Sequence, residues 1–168
     1  MIAQEIKPTN PETIEVQKYE DSIFLAGSIE NGEAEMWQKD LVEALADLPI
    51  TIYNPRRDNW NANLEQRASN PEFNYQVNWE MNRLEMVDTI FMYFAPGTYS
   101  PITLLELGAF MDSGKMIVCC PDGFYRKGNV EIVCQRNDIP FYHDLPSAIE
   151  KITAMLTLAG NAAEKPVI

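Results

Sequence analysis

The sequence predicts an α/β fold: a doubly wound sheet of about five parallel strands, in a single domain spanning residues 1–168. Two observations carry that expectation. Short apolar runs rich in β-branched and aromatic residues alternate with helical patterns, which places helices in the crossovers between parallel strands. One run, "DTIFMYF" at 88–94, is apolar throughout, as a strand covered on both faces must be.

The elements follow in order. "SIFLAGS" (22–28) is the first predicted strand, preceded by a polar N-terminal extension at 1–20. "EAEMWQKDLVEALADL" (33–48) is a helix, with Met36, Trp37, Leu41, Ala44 and Leu45 at helical spacing. "ITIYNP" (50–55) is a second strand, and a polar stretch rich in Asn and Arg follows it. "PEFNYQVNWEMNRLEMV" (71–87) is a helix with Pro71 at its start and Val77, Met81, Leu84 and Val87 on its expected buried face. After the 88–94 strand and the loop "APGTYS", "PITLLELGAFMDSG" (101–114) is a helix opened by Pro101 and stopped by Gly114. "KMIVCCP" (115–121) is the fourth strand. "NVEIVCQRN" (129–137) is a short helix, "IPFYH" (139–143) a fifth strand, and "LPSAIEKITAMLTLAG" a closing helix that leaves a loose tail at 160–168.

Composition bounds the function. The net charge of −12 argues against nucleic acid and anionic membrane as partners, because their phosphates would be repelled. Three cysteines, Cys119, Cys120 and Cys134, make an odd count, and two of them are adjacent in a strand, so a reduced cytoplasmic setting is expected. The single histidine and the absence of a Cys/His pattern leave no zinc site to expect.

Doubly wound sheets bind ligands beyond the carboxyl ends of their strands. Four features fall on the loops and helices expected there. Gly27, Ser28 and Gly32 in "AGSIENG" would let backbone approach a ligand, with free amides opening the next helix; an ordinary strand-to-helix turn is the plain alternative. Arg56 and Arg57 in "NPRRDNW" suit a carboxylate or phosphate, or orient a catalytic acid, and Trp60 could stack on a ring; a solvated loop with a salt bridge to Asp58 is the alternative. Glu80 lies at the border of its helix's apolar stripe. Glu106 lies among Leu104, Leu105, Leu107, Ala109 and Phe110, in the second turn of a helix that starts at the cleft. A carboxylate there is costly to desolvate unless paired, and the positive helix start is expected to keep it ionised. Two carboxylates from separate helices in one cleft are what glycosyl chemistry needs, one to attack the anomeric carbon and one to handle a proton. Such chemistry on two carboxylates needs no metal or redox cofactor.

The register of Glu80, Asp88 and the Glu106-Leu107-Gly108 triplet resembles that of the nucleoside 2-deoxyribosyltransferase family, a flavodoxin-like group, over Ile23 to about Tyr142. The resemblance implies Glu106 as nucleophile, Glu80 as the acid that protonates and orients the base, and Asp88 as structural. It implies Gly27 and Ser28 in the sugar-pocket loop, Ser100 at the sugar 5′ end and Asn137 donated to a neighbouring subunit's site, and Arg57 and Trp60 complete the expected substrate-binding set by their residue chemistry alone. Ser100 stands where many transferases carry an Asp that holds the sugar 5′-hydroxyl. A Ser there, together with Gly27-Ser28-Ile29, also resembles the 2′-deoxynucleoside 5′-phosphate N-hydrolases.

The expected activity is transfer of 2-deoxyribose between purine or pyrimidine bases through a covalent glycosyl-enzyme, with retention and slow hydrolysis as a side reaction. The alternatives are a 2′-deoxynucleoside 5′-phosphate N-glycosidase and a non-catalytic nucleotide-binding module. The expected partners are a 2′-deoxynucleoside, a free base and further copies of the chain, in a dimer or a dimer-built hexamer.

Overall fold

The computed structural model describes residues 2–8, 19, 21–32, 34–58 and 63–163. Six strands form one parallel sheet: β1 (Gln4–Ile6), β2 (Asp21–Gly27), β3 (Ile50–Tyr53), β4 (Thr89–Tyr93), β5 (Met116–Cys119) and β6 (Phe141–Tyr142), in the order β1-β3-β2-β4-β5-β6. Five helices accompany them: α1 (Trp37–Ala44), α2 (Pro71–Met86), α3 (Pro101–Phe110), α4 (Lys127–Arg136) and α5 (Leu145–Ala163).

The sheet therefore has six strands rather than five. The additional strand, β1, falls inside the segment expected to be a polar extension. It pairs with β3 through three residues and buries only Ile6 in the core. One inward side chain in three residues produces no alternation that a sequence reading could detect. At the other end, α5 continues to Ala163, four residues into the segment expected to be a tail, and 164–168 lie outside the described residues.

The sheet is sandwiched. One face packs Trp37, Leu41 and Leu45 of α1 with Ala148, Ile152 and Leu156 of α5. The other packs Trp79 and Leu84 of α2 with Leu107 of α3 and Val130 and Cys134 of α4. Central β4 has every residue buried, as a strand covered on both faces requires. The three cysteines are free thiols inside this core, and burial pushes each up to about 12.

Helix α2 departs from the expected face. Val77 and Met81 are on its exposed side, while Gln76, Trp79 and Leu84 turn inward. Trp79 decides this rotation. Its ring sits 6.2 Å from those of Phe24 and Tyr53 on the sheet, and Arg83 lies over both Tyr53 and Trp79. A buried indole with two aromatic neighbours outweighs the smaller Val and Met.

The chain reverses direction across the sheet between β2 and β4, and ligands of doubly wound folds bind at such a switch point. Here the two strands approach closely through Gly27. A Cβ at Gly27 would lie 2.4 Å from the Tyr93 carbonyl oxygen and 2.9 Å from the Trp37 ring, and its φ of +144° suits only glycine. Gly27→Ala is expected to cost about 3 kcal/mol through overpacking and backbone strain. A urea unfolding midpoint within error of the wild type would contradict this.

Candidate active site

The two expected carboxylates come from neighbouring helices on one face of the sheet. Pro101 opens α3 directly after the β4 loop, and the helix buries Thr103, Glu106 and Leu107 while Ile102 and Leu105 are 60% and 68% exposed. An apolar helix thus turns a glutamate inward and two large aliphatics outward. Glu106 is 8% exposed, and among the described residues no hydrogen-bond donor reaches its carboxylate. Burial pushes Glu106 up to about 8, and the charge of Glu80 opposite adds to the effect.

This corrects the expectation that the helix start keeps Glu106 ionised. The dipole acts within the first turn, whereas Glu106 is the sixth residue of α3. Desolvation and a facing carboxylate prevail there.

Glu80 is held differently. It follows Gln76 by one helical turn and precedes Leu84 by another, so the rotation set by Trp79 brings it inward. Gln76 donates to its Oε1 through Nε2. The same Nε2 lies 3.3 Å from the Pro55 carbonyl, and the Gln76 Oε1 accepts from Arg57 Nε at 2.5 Å. Arg57 is in turn fixed by Glu72 at 2.7 Å. Burial raises Glu80 above the usual carboxylate range, while the Gln76 hydrogen bond and the Arg57 charge pull it back. The pair is thus asymmetric, with proton affinity greater at Glu106.

The other expected site residues divide. Arg57 is placed to orient Glu80 through Gln76, the orienting role considered for it, and its guanidinium is committed to α2. Arg56 clamps the loop after β2, donating to the carbonyls of Gly32, Ala34 and Glu35. Asp58 pairs with Lys7 rather than with either arginine. Gly27 brings its backbone against Tyr93. Three amides of this segment are used inside the protein: Ser28 donates to Tyr93, and Gly32 and Ala34 donate to Ile29. Trp60 lies outside the described residues. Asn137 donates to the Val133 carbonyl at the end of α4, just before β6, and so sits at the amino end of the sheet away from Glu106. Asp88 accepts from both the amide and the hydroxyl of Ser22, tying the start of β2 to that of β4.

Ser28 and Ser100 meet, although 72 residues separate them. Their hydroxyl oxygens are 2.6 Å apart, and Thr98 lies 3.0 Å from each. The Ala95 amide donates to Ser28. Glu30, which the sequence reading passed over, accepts from the amides of Tyr99 and Ser100. Gln76 was missed as well. A Gln one turn before a Glu is common on exposed helices, and only burial distinguishes this pair. The exposed rings of Tyr99 and Tyr125 meet edge to face at 5.2 Å beside this loop. Among the described residues, no three His, Cys, Asp or Glu side chains converge as a metal site would require. No described helix is long and apolar enough to cross a membrane.

The buried carboxylate has a consequence for stability. Its proton affinity is raised in the folded state, so its contribution is fully present below about pH 4.5 and is lost as pH rises through about 8. Glu106→Gln removes this titration. The variant is expected to gain on the wild type by on the order of 2–4 kcal/mol between pH 5 and pH 8. Unfolding midpoints at those two pH values test this, and an equal difference at both would show that Glu106 is not destabilised by burial.

Comparison with known proteins agrees with this architecture. A conserved protein from Enterococcus faecalis V583 superimposes with a TM-score of 0.58 at 14% identity, over 80% of this chain and 98% of that one, a likeness of fold. No curated protein matches the sequence. The model of the family described as nucleoside 2-deoxyribosyltransferase like matches residues 20–124, a span that contains Ser28, Glu80, Ser100 and Glu106. The chain belongs to the nucleoside 2-deoxyribosyltransferase-like family.

Proposed function

We propose that the protein transfers 2-deoxyribose from a 2′-deoxynucleoside to a second nucleobase, through a covalent ester on Glu106. One observation carries this reading: buried Glu106 and half-buried Glu80, from neighbouring helices on one face of the sheet, lie close enough for the charge of one to act on the other. Two carboxylates that share one site are what a nucleophile and a leaving-group acid require, and the proton that rests mainly on Glu106 in the free protein has to pass to Glu80 before reaction.

In the free protein the pair shares one proton near neutrality, and that proton belongs to the pair rather than to either residue. In the reacting arrangement the proton is on Glu80 and Glu106 carries the charge. An oxygen of Glu106 bonds to the anomeric carbon as the carbon–nitrogen bond breaks. The bonding electrons leave with the base, which takes the Glu80 proton. A nitrogen of the second base then attacks the anomeric carbon, the ester bond breaks, and Glu80 regains a proton. Two inversions give net retention. Water in place of the second base gives hydrolysis. Arg57 and Gln76 act as positioning residues, fixing Glu80 against the leaving base.

Ile102, Leu105 and Tyr99 expose a large apolar area beside this site. Their exposure supports an assembly in which a second copy covers α3, the homo-oligomer that the family resemblance led us to expect.

Three outcomes test the reading, using a 2′-deoxynucleoside with and without a second base and chromatography of the products. Glu106→Gln is expected to lower turnover by at least about a thousandfold, with the fold intact; near wild-type turnover would remove Glu106 as nucleophile. Glu80→Gln is expected to slow substrates whose base needs protonation at least tenfold more than substrates with an activated leaving group. Equal losses would show that it is not the leaving-group acid. The profile of kcat/KM against pH is expected to be bell-shaped, since both groups protonated leaves no nucleophile and both ionised leaves no acid. Its alkaline limb should lie near pH 8, where Glu106 in the free protein gives up its proton; a profile rising through pH 9 would contradict the shared-proton pair.

A further inference from the structure

Two residues with left-handed backbones face each other across the switch point. Glu30 has a φ of 46° and Ser100 a φ of 44°, and neither is glycine. Such conformations persist only where the surroundings enforce them. A single oxygen links the two. Glu30 Oε1 accepts from the Tyr99 amide at 2.9 Å, the Ser100 amide at 2.5 Å and the Ser100 hydroxyl at 3.3 Å.

The hydroxyls behind it are already arranged. The Ala95 amide donates to Ser28, and Thr98 donates to the Ala95 carbonyl. The direction that satisfies each group runs Ala95 amide to Ser28, Ser28 to Ser100, and Ser100 to Glu30. The whole donor set therefore ends on one carboxylate. Its arrangement is that of an oxyanion site, with two amides and a hydroxyl on one oxygen at the mouth of a ten-residue helix. The oxyanion it holds is the chain's own.

Ser100 begins the helix that carries Glu106 six residues later, about 9 Å along the axis. A sugar with its anomeric carbon at Glu106 and its ring along α3 directs its 5′ substituent at the Ser100–Glu30 contact.

We infer that Glu30 is a specificity-determining residue that admits a 5′-hydroxyl and excludes a 5′-phosphate. A hydroxyl can donate to the free lone pairs of the carboxylate. A phosphate would meet a like charge and would find the Tyr99, Ser100 and Ser28 donors already engaged. The serines that a phosphate would use are present but are capped by Glu30, so the presence of Ser28 and Ser100 does not by itself make a phosphate site. This inference rests on the assignment of Glu106 to the anomeric carbon.

The test compares 2′-deoxyadenosine with its 5′-monophosphate on the wild type, Glu30→Gln and Glu30→Gly. Glutamine keeps the size and an accepting oxygen but loses the charge; glycine also removes the side chain and suits the left-handed backbone. The wild type is expected to favour the nucleoside in kcat/KM at least tenfold. Both variants are expected to move that ratio towards the monophosphate by at least tenfold, through KM. A purely structural role for Glu30 would lower both substrates alike and leave the ratio unchanged, and this outcome overturns the proposal, as does a wild type that prefers the monophosphate. A second measurement does not depend on turnover. Binding of the monophosphate by calorimetry is compared on Glu106→Gln with and without Glu30→Gly. A tenfold gain in affinity supports the role of Glu30 even if no base is ever released, and no gain overturns it. Absence of base release from both substrates with the wild type would count against the Glu106 assignment alone.

Discussion

The burial of the Glu106 carboxylate opposite Glu80 is the constraint on which the site depends. A carboxylate with no hydrogen-bond donor among the described residues is held there against its solvation. It remains because α3 is otherwise among the most apolar parts of the chain, with Leu104 and Leu107 packed on the sheet. The cost appears as a raised proton affinity and as Ile102 and Leu105 left facing outward.

Glu80 lies beside Glu106 for reasons that lie outside the pair. Trp79 packs against Phe24 and Tyr53 and thereby sets the rotation of α2. Arg57 and Gln76 then fix the Glu80 side chain, and Glu72 fixes Arg57. Each member is held by the next. Support of this kind keeps a reactive geometry within tolerance. It also makes the two carboxylates unequal: Glu80 has a hydrogen bond and a nearby cation, and Glu106 has neither among the described residues.

The loops at the switch point show the same economy. Arg56 gathers three carbonyls of the segment after β2, and Glu30 from that segment reaches across to the start of α3. In a protein with a net charge of −12, both arginines of the "PRR" stretch are spent on internal contacts. The mouth of the site is thereby left with a carboxylate, which bears on the charge of whatever enters.

The fold class and the helix carrying Glu106 were legible in the sequence, because both rest on local signals. Central β4 is apolar on both faces, and Pro101 and Gly114 bracket α3. The register of Glu80, Asp88 and Glu106 was legible for the same reason, since spacing along a chain does not require packing. Tertiary structure alone decided the rest. The face of α2 was set by the aromatic contacts of Trp79, against a stripe of Val77 and Met81 that suggested another rotation. The strand β1 exists only through its partner β3. The Gln76 bridge, the raised proton affinity of Glu106 and the Glu30–Ser100 contact all depend on residues far apart in sequence, or on water being excluded. Neither can be read from spacing, because desolvation and long-range hydrogen bonding are properties of the packed molecule and not of any segment of it.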